Sequence, residues 1–202
     1  NSFFTEELID QKKLHNKFDI IFAANVICHI PNMLSLFKCV EKSLKQNGYF
    51  IFEEPYLGAM LEKTSYDQIY DEHFYMFSAN SIISILDKFN LELVSAERIS
   101  THGGSMRYYV KKTKSFKISK QLKQVLKYEK DLKISKIKTI KKFAANCINS
   151  KKRILKIMNE IIAKGEDIYG YGATSKSTTI LHFCDVKDNF IQGIFDNTPT
   201  KI

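Results

Sequence analysis

The sequence lacks any apolar run long enough to cross a lipid bilayer, so we predict no transmembrane helix and no membrane partner. It begins at Asn1-Ser2-Phe3-Phe4, without an initiator Met and without a basic stretch that leads into an apolar run. That start is typical neither of a signal peptide nor of a natural N-terminus, and we expect a cytoplasmic protein. With 44% hydrophobic and 26% charged residues among 202, the chain is expected to be globular.

Closely spaced cysteine pairs are also missing. The four cysteines are far apart and form no Cys-x-x-Cys motif, which predicts free thiols in a reducing compartment rather than disulfides or a zinc site. A metal site built from His29, His73 and a carboxylate is conceivable, but no ligand spacing requires it, so none is expected. The cysteines are Cys28, Cys39, Cys147 and Cys184.

Arginine is scarce, although the net charge is +9. Residues 111–164 hold 18 Lys/Arg against 3 Asp/Glu, whereas the other positions hold 13 against 19. Arginine is the side chain that best suits phosphates and base edges, and only Arg98, Arg107 and Arg153 are present. A solvated lysine face on one helical segment explains this charge better than a nucleic-acid surface, so we expect no nucleic-acid partner.

Strand and helix patterns alternate in the first half of the chain. Residues 18–24 form a short, nearly continuous apolar run, typical of a central strand covered on both faces. Residues 32–46 have apolar positions at helical spacing, and Asn47-Gly48 is expected to end that helix. A second strand over 49–52 follows at once, so the three elements predict a parallel β-α-β unit.

The sheet is expected to finish in an antiparallel hairpin. A helix over 80–89 precedes a third strand over 91–99, and Gly103-Gly104 separates that strand from a fourth over 106–110. No Gly or Pro occurs from 105 to 164, which predicts a hairpin of two helices broken near 133–138.

A second α/β unit is expected to begin after Gly165. Residues 167–172 have a strand-to-turn pattern that leads into a helix, and residues 191–195 form another strand. The sequence ends at Ile202 with this unit unfinished. The expected fold class is therefore α/β, with a mainly parallel sheet, a helical hairpin and the start of a Rossmann-like domain.

Residues 63–73 form the densest cluster of polar side chains. If the segment is helical, Tyr66, Tyr70 and His73 share one face, because they are four and three residues apart. An imidazole beside phenols and flanked by Asp71 and Glu72 suits proton abstraction near neutral pH. An ordinary buried, hydrogen-bonded histidine is the alternative, and composition alone favours it.

Asn25 and His29 follow the first predicted strand. Open α/β sheets bind ligands at the carboxyl ends of their strands, so both residues are candidates for a site there. A capping Asn and a surface His explain them equally well.

Two glycine-containing segments are weaker candidates. Gly170-Tyr-Gly172 precedes a predicted helix, where backbone N–H groups and Lys176 suit a phosphate, but a plain tight turn is as good an explanation. His102 and Arg107 flank the other turn and are explained equally well by hairpin geometry.

Five stretches, in order over nearly the whole chain, resemble the sugar C-methyltransferases that act on nucleotide-linked 4-keto deoxysugars. The segments Tyr-Asp-Glu-His at 70–73 and Ala-Ala-Asn-Val-Ile-Cys-His-Ile at 23–30 are specific to that family, whereas the Gly-rich stretch is less so. The resemblance identifies the predicted sheet as the second half of a class I methyltransferase domain. The stretches are 19–31, 52–58, 63–78, 102–108 and 170–177.

The resemblance implies a reaction in which a base removes the proton next to the sugar ketone and the resulting enolate carbon takes the methyl group of S-adenosylmethionine. His73 is then the base, Tyr70 and His29 polarise or protonate the enolate oxygen, and Glu72 supports the imidazole or the substrate. The residues implied to border the methyl donor are Phe3, Phe4, Ala24, Asn25 and Val26. Those implied to bind the substrate are Asn25, Tyr56, His102, Arg107 and Lys176.

The sequence also departs from the family. Members have an N-terminal zinc-binding cysteine module and an acidic-Gly-x-x-x-Gly loop for the donor, and neither is present here. Zinc is therefore expected only outside this segment, which we interpret as an internal part of a longer enzyme that is inactive by itself. Its expected parts are a partial methyltransferase domain at 1–113, a helical hairpin linker at 114–164 and the start of a C-terminal α/β domain at 165–202.

Other functions stay open at this point. The acceptor could be a small molecule other than a sugar. The chain could instead be an inactive binding or assembly module, which predicts scattered polar residues and an exposed apolar stripe over 140–162. A nucleic-acid-binding domain requires lysines on one face with aromatic residues between them, whereas these lysines are spread around the helices. The expected partner is a nucleotide-sugar, and the expected assembly is a monomer or a weak homodimer.

Overall fold

The structure is a computed structural model that describes residues 2–113 and 117–199. The chain forms two compact units. The first contains Asn1–Met60 and Glu72–Ser135, and the second contains Leu61–Asp71 and Lys136–Ile202. Within the described ranges, every helix is too short or too polar to cross a membrane.

The first unit is built on a four-stranded mixed sheet with the order β1-β2-β4-β3. β1 and β2 are parallel, while β4 is antiparallel to both β2 and β3. The predicted antiparallel hairpin is therefore confirmed, and the fold class is α/β. The strands are β1 (Phe18–Ala24), β2 (Leu44–Pro55), β3 (Glu92–Ile99) and β4 (Ser105–Lys111).

Among the described residues up to 135, five helices are present, together with 3-10 turns at Ile27–His29 and Thr101–Gly103. Amphipathic helices cover the sheet because their apolar stripes bury against it. The helices are α1 (Glu6–Gln11), α2 (Met33–Ser43), α3 (Leu57–Lys63), α4 (Ala79–Leu86) and α5 (Lys120–Leu132). The end of α3 and a further 3-10 turn, Tyr66–Gln68, fall in the 61–71 segment of the second unit.

Stacked aromatic rings form the centre of the core. The Phe52 ring stacks on Phe50 with centroids 4.9 Å apart and on Tyr108 with centroids 4.8 Å apart. Phe37 of α2 meets both phenylalanines edge-on. These rings join β2, β4 and α2, so they fix β2, whose carboxyl end borders the candidate site.

Two expectations about the β-α-β unit are wrong. α2 ends at Ser43 rather than 46, because Leu44 already pairs with Phe18 of β1, and Asn47 takes its left-handed backbone (φ 65°) inside β2 instead of at a helix end. β1 is at the edge of the described sheet rather than at its centre. Consequently the side chains of Ile20 and Phe22 are each 60% exposed, since no described element covers them.

The second unit contains a long helix and a small parallel sheet. α6 (Ile137–Ala163) is followed by β5 (Tyr169–Tyr171), α7 (Ser175–Cys184), a 3-10 turn (Asp188–Phe190) and β6 (Gly193–Phe195). The break between α5 and α6 is at the predicted position. Because α5 belongs to the first unit and α6 to the second, their pairing as a hairpin stays a prediction.

Glu129 of α5 ties several elements of the first unit together. Its side chain is buried, and its Oε1 accepts hydrogen bonds from the Tyr56 hydroxyl (3.1 Å) and the Ala79 backbone N–H (2.7 Å). Its Oε2 accepts the backbone N–H of Asn80 (3.1 Å) and the amide of that side chain. A carboxylate at this place also matches the positive N-terminal end of α4.

Replacing Glu129 by Ala should lower the free energy of unfolding of the first unit by about 2–4 kcal/mol, because the N–H groups of 79 and 80 lose their buried acceptor. Urea unfolding followed by circular dichroism measures this. Glu160→Ala is the control, since Glu160 forms only an exposed ion pair with Lys156 in α6 and its loss should change stability little. Equal losses in the two variants would contradict the role of Glu129.

The ion pairs of Glu6 in α1 should make the stability of the first unit depend on pH. Its pKa is below the ordinary value because Lys42 and then Lys38 of α2 donate hydrogen bonds to its carboxylate. A depressed folded-state pKa gives stability that is present at neutral pH and is lost as the pH falls below about 4.5. The Tm gap between the parent and Glu6→Gln should therefore shrink in acid. A gap that stays constant from neutral pH to pH ~3 would refute the pairing.

Candidate active site

A tight turn follows β1 at the edge of the sheet where β2 also ends. Asn25 has a left-handed backbone (φ 52°), which Asn tolerates better than most residues. Its N–H donates to the carbonyl of Glu53 (2.8 Å), so the turn is fastened to the neighbouring strand. The chain then enters the 3-10 turn Ile27–His29, which ends at the first candidate imidazole.

A buried carboxylate of β2 also holds this turn. Glu54 has no exposed surface, and its Oε1 accepts the backbone N–H groups of Val26 (3.0 Å) and Ile27 (2.6 Å). The last residues of β2 therefore fix the backbone that leads to His29.

Three hydrogen bonds dock the segment after residue 71 onto this turn. The Phe74 N–H donates to the Cys28 carbonyl (2.9 Å), and the Tyr75 hydroxyl donates to the Pro31 carbonyl (2.6 Å). The third joins Nδ1 of His29 to the carbonyl of Glu72 at 2.8 Å. Residues distant in sequence are thereby held together by contacts that mostly use main-chain atoms.

The docking brings His29 and His73 side by side. Their ring centroids are 5.0 Å apart, with an interplanar angle of 60°. A carbonyl oxygen only accepts hydrogen bonds, so Nδ1 of His29 must carry a proton. In the neutral ring, Nε2 of His29 therefore has a free lone pair. The sequence prediction that the 25–29 turn and His73 lie together agrees with this geometry.

The helical condition, under which Tyr66, Tyr70 and His73 would share one face, is not met. Only Tyr66–Gln68 is helical, as a 3-10 turn, and an irregular loop follows. The Tyr66 hydroxyl lies 3.2 Å from Ser150 Oγ inside the second unit. Backbone hydrogen bonds to the 28–31 segment and the bridge between Tyr56 and Phe77 favour an extended chain after residue 72. Tyr66 and His73 therefore share no helical face. Tyr70 belongs to the second unit, and its role stays a prediction.

Cys28 adds a thiol to the imidazole pair. Single ligand atoms of Cys28, His29 and His73 all lie within 4.8 Å of one another, a set that resembles a zinc site with an open position. Burial and, secondarily, the Glu54 carboxylate raise the pKa of the Cys28 thiol well above its usual range. Because the thiolate is the form that binds metals, this environment opposes metal binding.

The residues predicted to border the methyl donor are partly brought together. Phe4 and Val26 line one apolar cavity of about 380 Å³, whereas Ala24 and Asn25 are not among its lining residues. The Asn25 Oδ1 is buried and has no hydrogen-bond partner among the described residues. An apolar wall with a free acceptor suits an adenosine-like ligand that carries N–H or O–H donors. Phe3, by contrast, is 90% exposed.

The residues predicted to bind substrate have varied surroundings. Tyr56 is buried and donates to Glu129, as described above, and Arg107 donates from Nε to Glu53, its partner across β2 and β4. His102 is exposed, in a left-handed conformation (φ 51°).

In the second unit, Lys176 lies in the first turn of α7 and is half-buried. There the Ala173 N–H donates to an Asp196 carboxylate oxygen at 2.7 Å, so this N–H already has an acceptor.

Sequence reasoning missed Glu54, Cys28 and Tyr75. Glu54 could have been noticed as a second acidic residue at a strand end, where a carboxylate is uncommon unless it has partners. Cys28 and Tyr75 contribute through contacts that depend on the docked loop, and spacing gives no signal for those.

Comparison with known proteins gives two family matches. A family model described as "C-methyltransferase C-terminal domain" matches residues 100–202, and one described as "Methyltransferase domain" matches residues 1–96. The C-methyltransferase NovU of Streptomyces niveus is 25% identical over 188 residues, covering 93% of this chain. The chain spans only 45% of that relative's length.

Solved structures that resemble part of this chain include a SAM-dependent methyltransferase from Thermotoga maritima (TM-score 0.41, 17% identity, 49% of this chain and 57% of that one). Another is the N-methyltransferase NodS of Bradyrhizobium japonicum, in complex with S-adenosyl-L-homocysteine (TM-score 0.33, 17% identity, 46% and 45%). The assignment rests on the family models. Since the C-methyltransferase model, matched by residues 100–202, extends over about half of the chain, the protein belongs to the C-methyltransferase family, whose methyl donor is S-adenosylmethionine.

Proposed function

We propose that this chain supplies the acceptor side of a C-methyltransferase that methylates the carbon next to the ketone of a nucleotide-linked 4-keto deoxysugar. The observation that carries the proposal is the pairing of His29 and His73, with ring centroids 5.0 Å apart, at the carboxyl end of β1. Transfer to carbon is supported by the family match and by the name of the Streptomyces relative. The sugar class is supported by the motifs at 23–30 and 70–73.

Methylation of such a carbon first requires removal of its proton. A base must reach that proton, and hydrogen-bond donors must face the oxygen on which negative charge develops. In the proposal His73 is the base, while His29 and Tyr70 polarise or protonate the enolate oxygen. Glu72 supports the imidazole of His29, because its backbone carbonyl accepts the Nδ1 proton of that ring. With Nδ1 engaged, only Nε2 of His29 faces the substrate, and it donates there when the imidazole is protonated.

The methyl donor is proposed to bind against the turn after β1. When bound, it supplies an electrophilic methyl group. Phe4 and Val26 provide an apolar wall that excludes water, and the unpartnered Asn25 Oδ1 accepts a donor N–H or O–H. Ala24 and Phe3 complete this proposed set. Alignment of the methyl group with the acceptor carbon then supplies much of the rate.

The proposed organisation follows the predicted segments. Residues 1–113 are the second half of a class I methyltransferase domain, residues 114–164 are a helical hairpin linker, and residues 165–202 begin a C-terminal α/β domain. The remaining proposed substrate contacts are Tyr56, His102, Arg107 and Lys176. Since the chain spans 45% of its relative, activity is to be tested in a polypeptide that carries this chain within a complete methyltransferase.

An assembly module is the second candidate, because α6 exposes apolar side chains as that alternative predicted. Ile140, Ile148, Ile157 and Ile162 are between 38% and 45% exposed. The same alternative predicted scattered polar residues, whereas His29 and His73 converge. The catalytic proposal therefore explains more of the first unit.

His73→Asn should reduce solvent deuterium exchange at the carbon next to the ketone by about 10²–10⁴-fold, because the base that removes the proton is lost. Mass spectrometry of the sugar nucleotide in D₂O, with S-adenosylhomocysteine in place of the donor, measures this. His15→Asn is the matched control, since His15 pairs only with Asp10 on the surface and its loss should leave exchange unchanged. Exchange that survives in His73→Asn would rule out His73 as the base.

His29→Phe should lower kcat for methyl transfer by about 10²-fold, because a donor to the developing oxyanion is removed while an aromatic ring of similar size is kept. Donor affinity, measured by calorimetry, should stay within a factor of about 3. A variant with parental kcat would show that the acceptor oxygen lies elsewhere.

A further inference from the structure

We propose that Glu54 is a positioning residue that sets the geometry of both imidazoles through the backbone of the turn. Its effect on catalysis rests on the proposed function, whereas its effect on geometry does not. Glu54 is completely buried at the end of β2. It is not among the site residues that the sequence predicted. A buried carboxylate is expensive to desolvate, so it persists where it has specific partners.

The partners are consecutive backbone N–H groups. The left-handed conformation of Asn25 (φ 52°) is followed by φ −130° and ψ −37° at Val26, and after this sharp turn the N–H groups of Val26 and Ile27 converge on one oxygen. Glu54 Oε1 occupies that concavity, at 3.0 Å from the Val26 nitrogen and 2.6 Å from the Ile27 nitrogen. The protein therefore provides its own anion for this site. Hydrogen bonds to a charged acceptor are stronger than neutral ones, so the turn is firmly held.

This turn also positions the imidazole of His73. Cys28 and His29 directly follow the two N–H groups that Glu54 holds. The Cys28 carbonyl accepts the Phe74 N–H, and the His29 ring donates to the Glu72 carbonyl, so contacts on both sides of His73 start from this turn. A displacement of 26–29 therefore acts on His29 directly and on His73 through the hydrogen bonds of Glu72 and Phe74. Such shifts alter reaction rates even when no reacting group is removed.

Glu129 provides a matched comparison. It is also a buried carboxylate of the first unit that accepts two backbone N–H groups, those of Ala79 and Asn80. It holds the start of α4 rather than the turn after β1. Loss of either carboxylate should destabilise the fold, but only Glu54 should change the imidazole pair.

The geometric test uses ¹⁵N NMR of the imidazoles in the 202-residue chain. In the parent, the His29 signals should report the Nδ1–H tautomer. Glu54→Ala should shift the signals of both His29 and His73 and mix the His29 tautomers, whereas Glu54→Gln should retain the parental pattern because its amide oxygen can accept both N–H groups. Glu129→Gln should leave the imidazole signals unchanged. If Glu54→Ala is folded and its imidazole signals match the parent, the inference is overturned.

Glu54→Asp keeps the inference testable if the Ala variant does not fold. It retains the charge but shortens the side chain by one methylene, so the turn must move to reach the carboxylate. Shifted signals for both histidines are expected, and parental signals would overturn the inference.

The catalytic test measures deuterium exchange in the complete methyltransferase. Glu54→Ala should reduce kcat by roughly 10²-fold while KM changes by less than about 3-fold, and Glu54→Gln should recover most of the rate. If the parent shows no exchange although the NMR shifts occur, the proposed function fails and the positioning role stands. If the parent exchanges and Glu54→Ala does so at the same kcat, the positioning role fails.

Discussion

The parallel pairing of β1 with β2 is the constraint on which the candidate site depends. Its register places Ala24 beside Glu53, so β1 ends two residues before the end of β2 at Pro55. The backbone N–H groups of Asn25, Val26 and Ile27, which follow β1, therefore reach acceptors on the last residues of β2 directly. A shift of one residue would turn Glu54 to the opposite face of the sheet and leave the backbone of 26 and 27 without its buried acceptor. The aromatic stack of Phe50, Phe52 and Tyr108 fixes β2 against β4 on its other side.

Much of the first unit could be predicted from local pattern. The apolar run at 18–24 and the helical spacing at 33–43 are strong signals, and they place Asn25 and His29 at a strand end without knowledge of the rest. The error about the position of β1 has a different origin. A continuous apolar run shows that a strand is suited to burial, but it does not show whether described elements cover its faces, and Ile20 and Phe22 are exposed.

The loop that carries His73 shows where pattern reasoning stops. Spacings of three and four residues fit a helix, and Tyr66, Tyr70 and His73 meet that condition. The structure instead satisfies the backbone of this loop through hydrogen bonds to residues about 45 positions earlier. Long-range bonds of this kind leave no periodic trace. Glu54 was missed for the same reason, because its partners are backbone groups, which every residue has.

The docking of the 72–75 loop mostly employs main-chain atoms, and this has a consequence for sequence drift. The carbonyls of Cys28, Pro31 and Glu72 and the N–H of Phe74 are unaffected by replacement of their own side chains. Replacement of these four side chains therefore need not separate the two imidazoles. Selection for the pair should act instead on the histidines and on the few side chains that bind backbone groups.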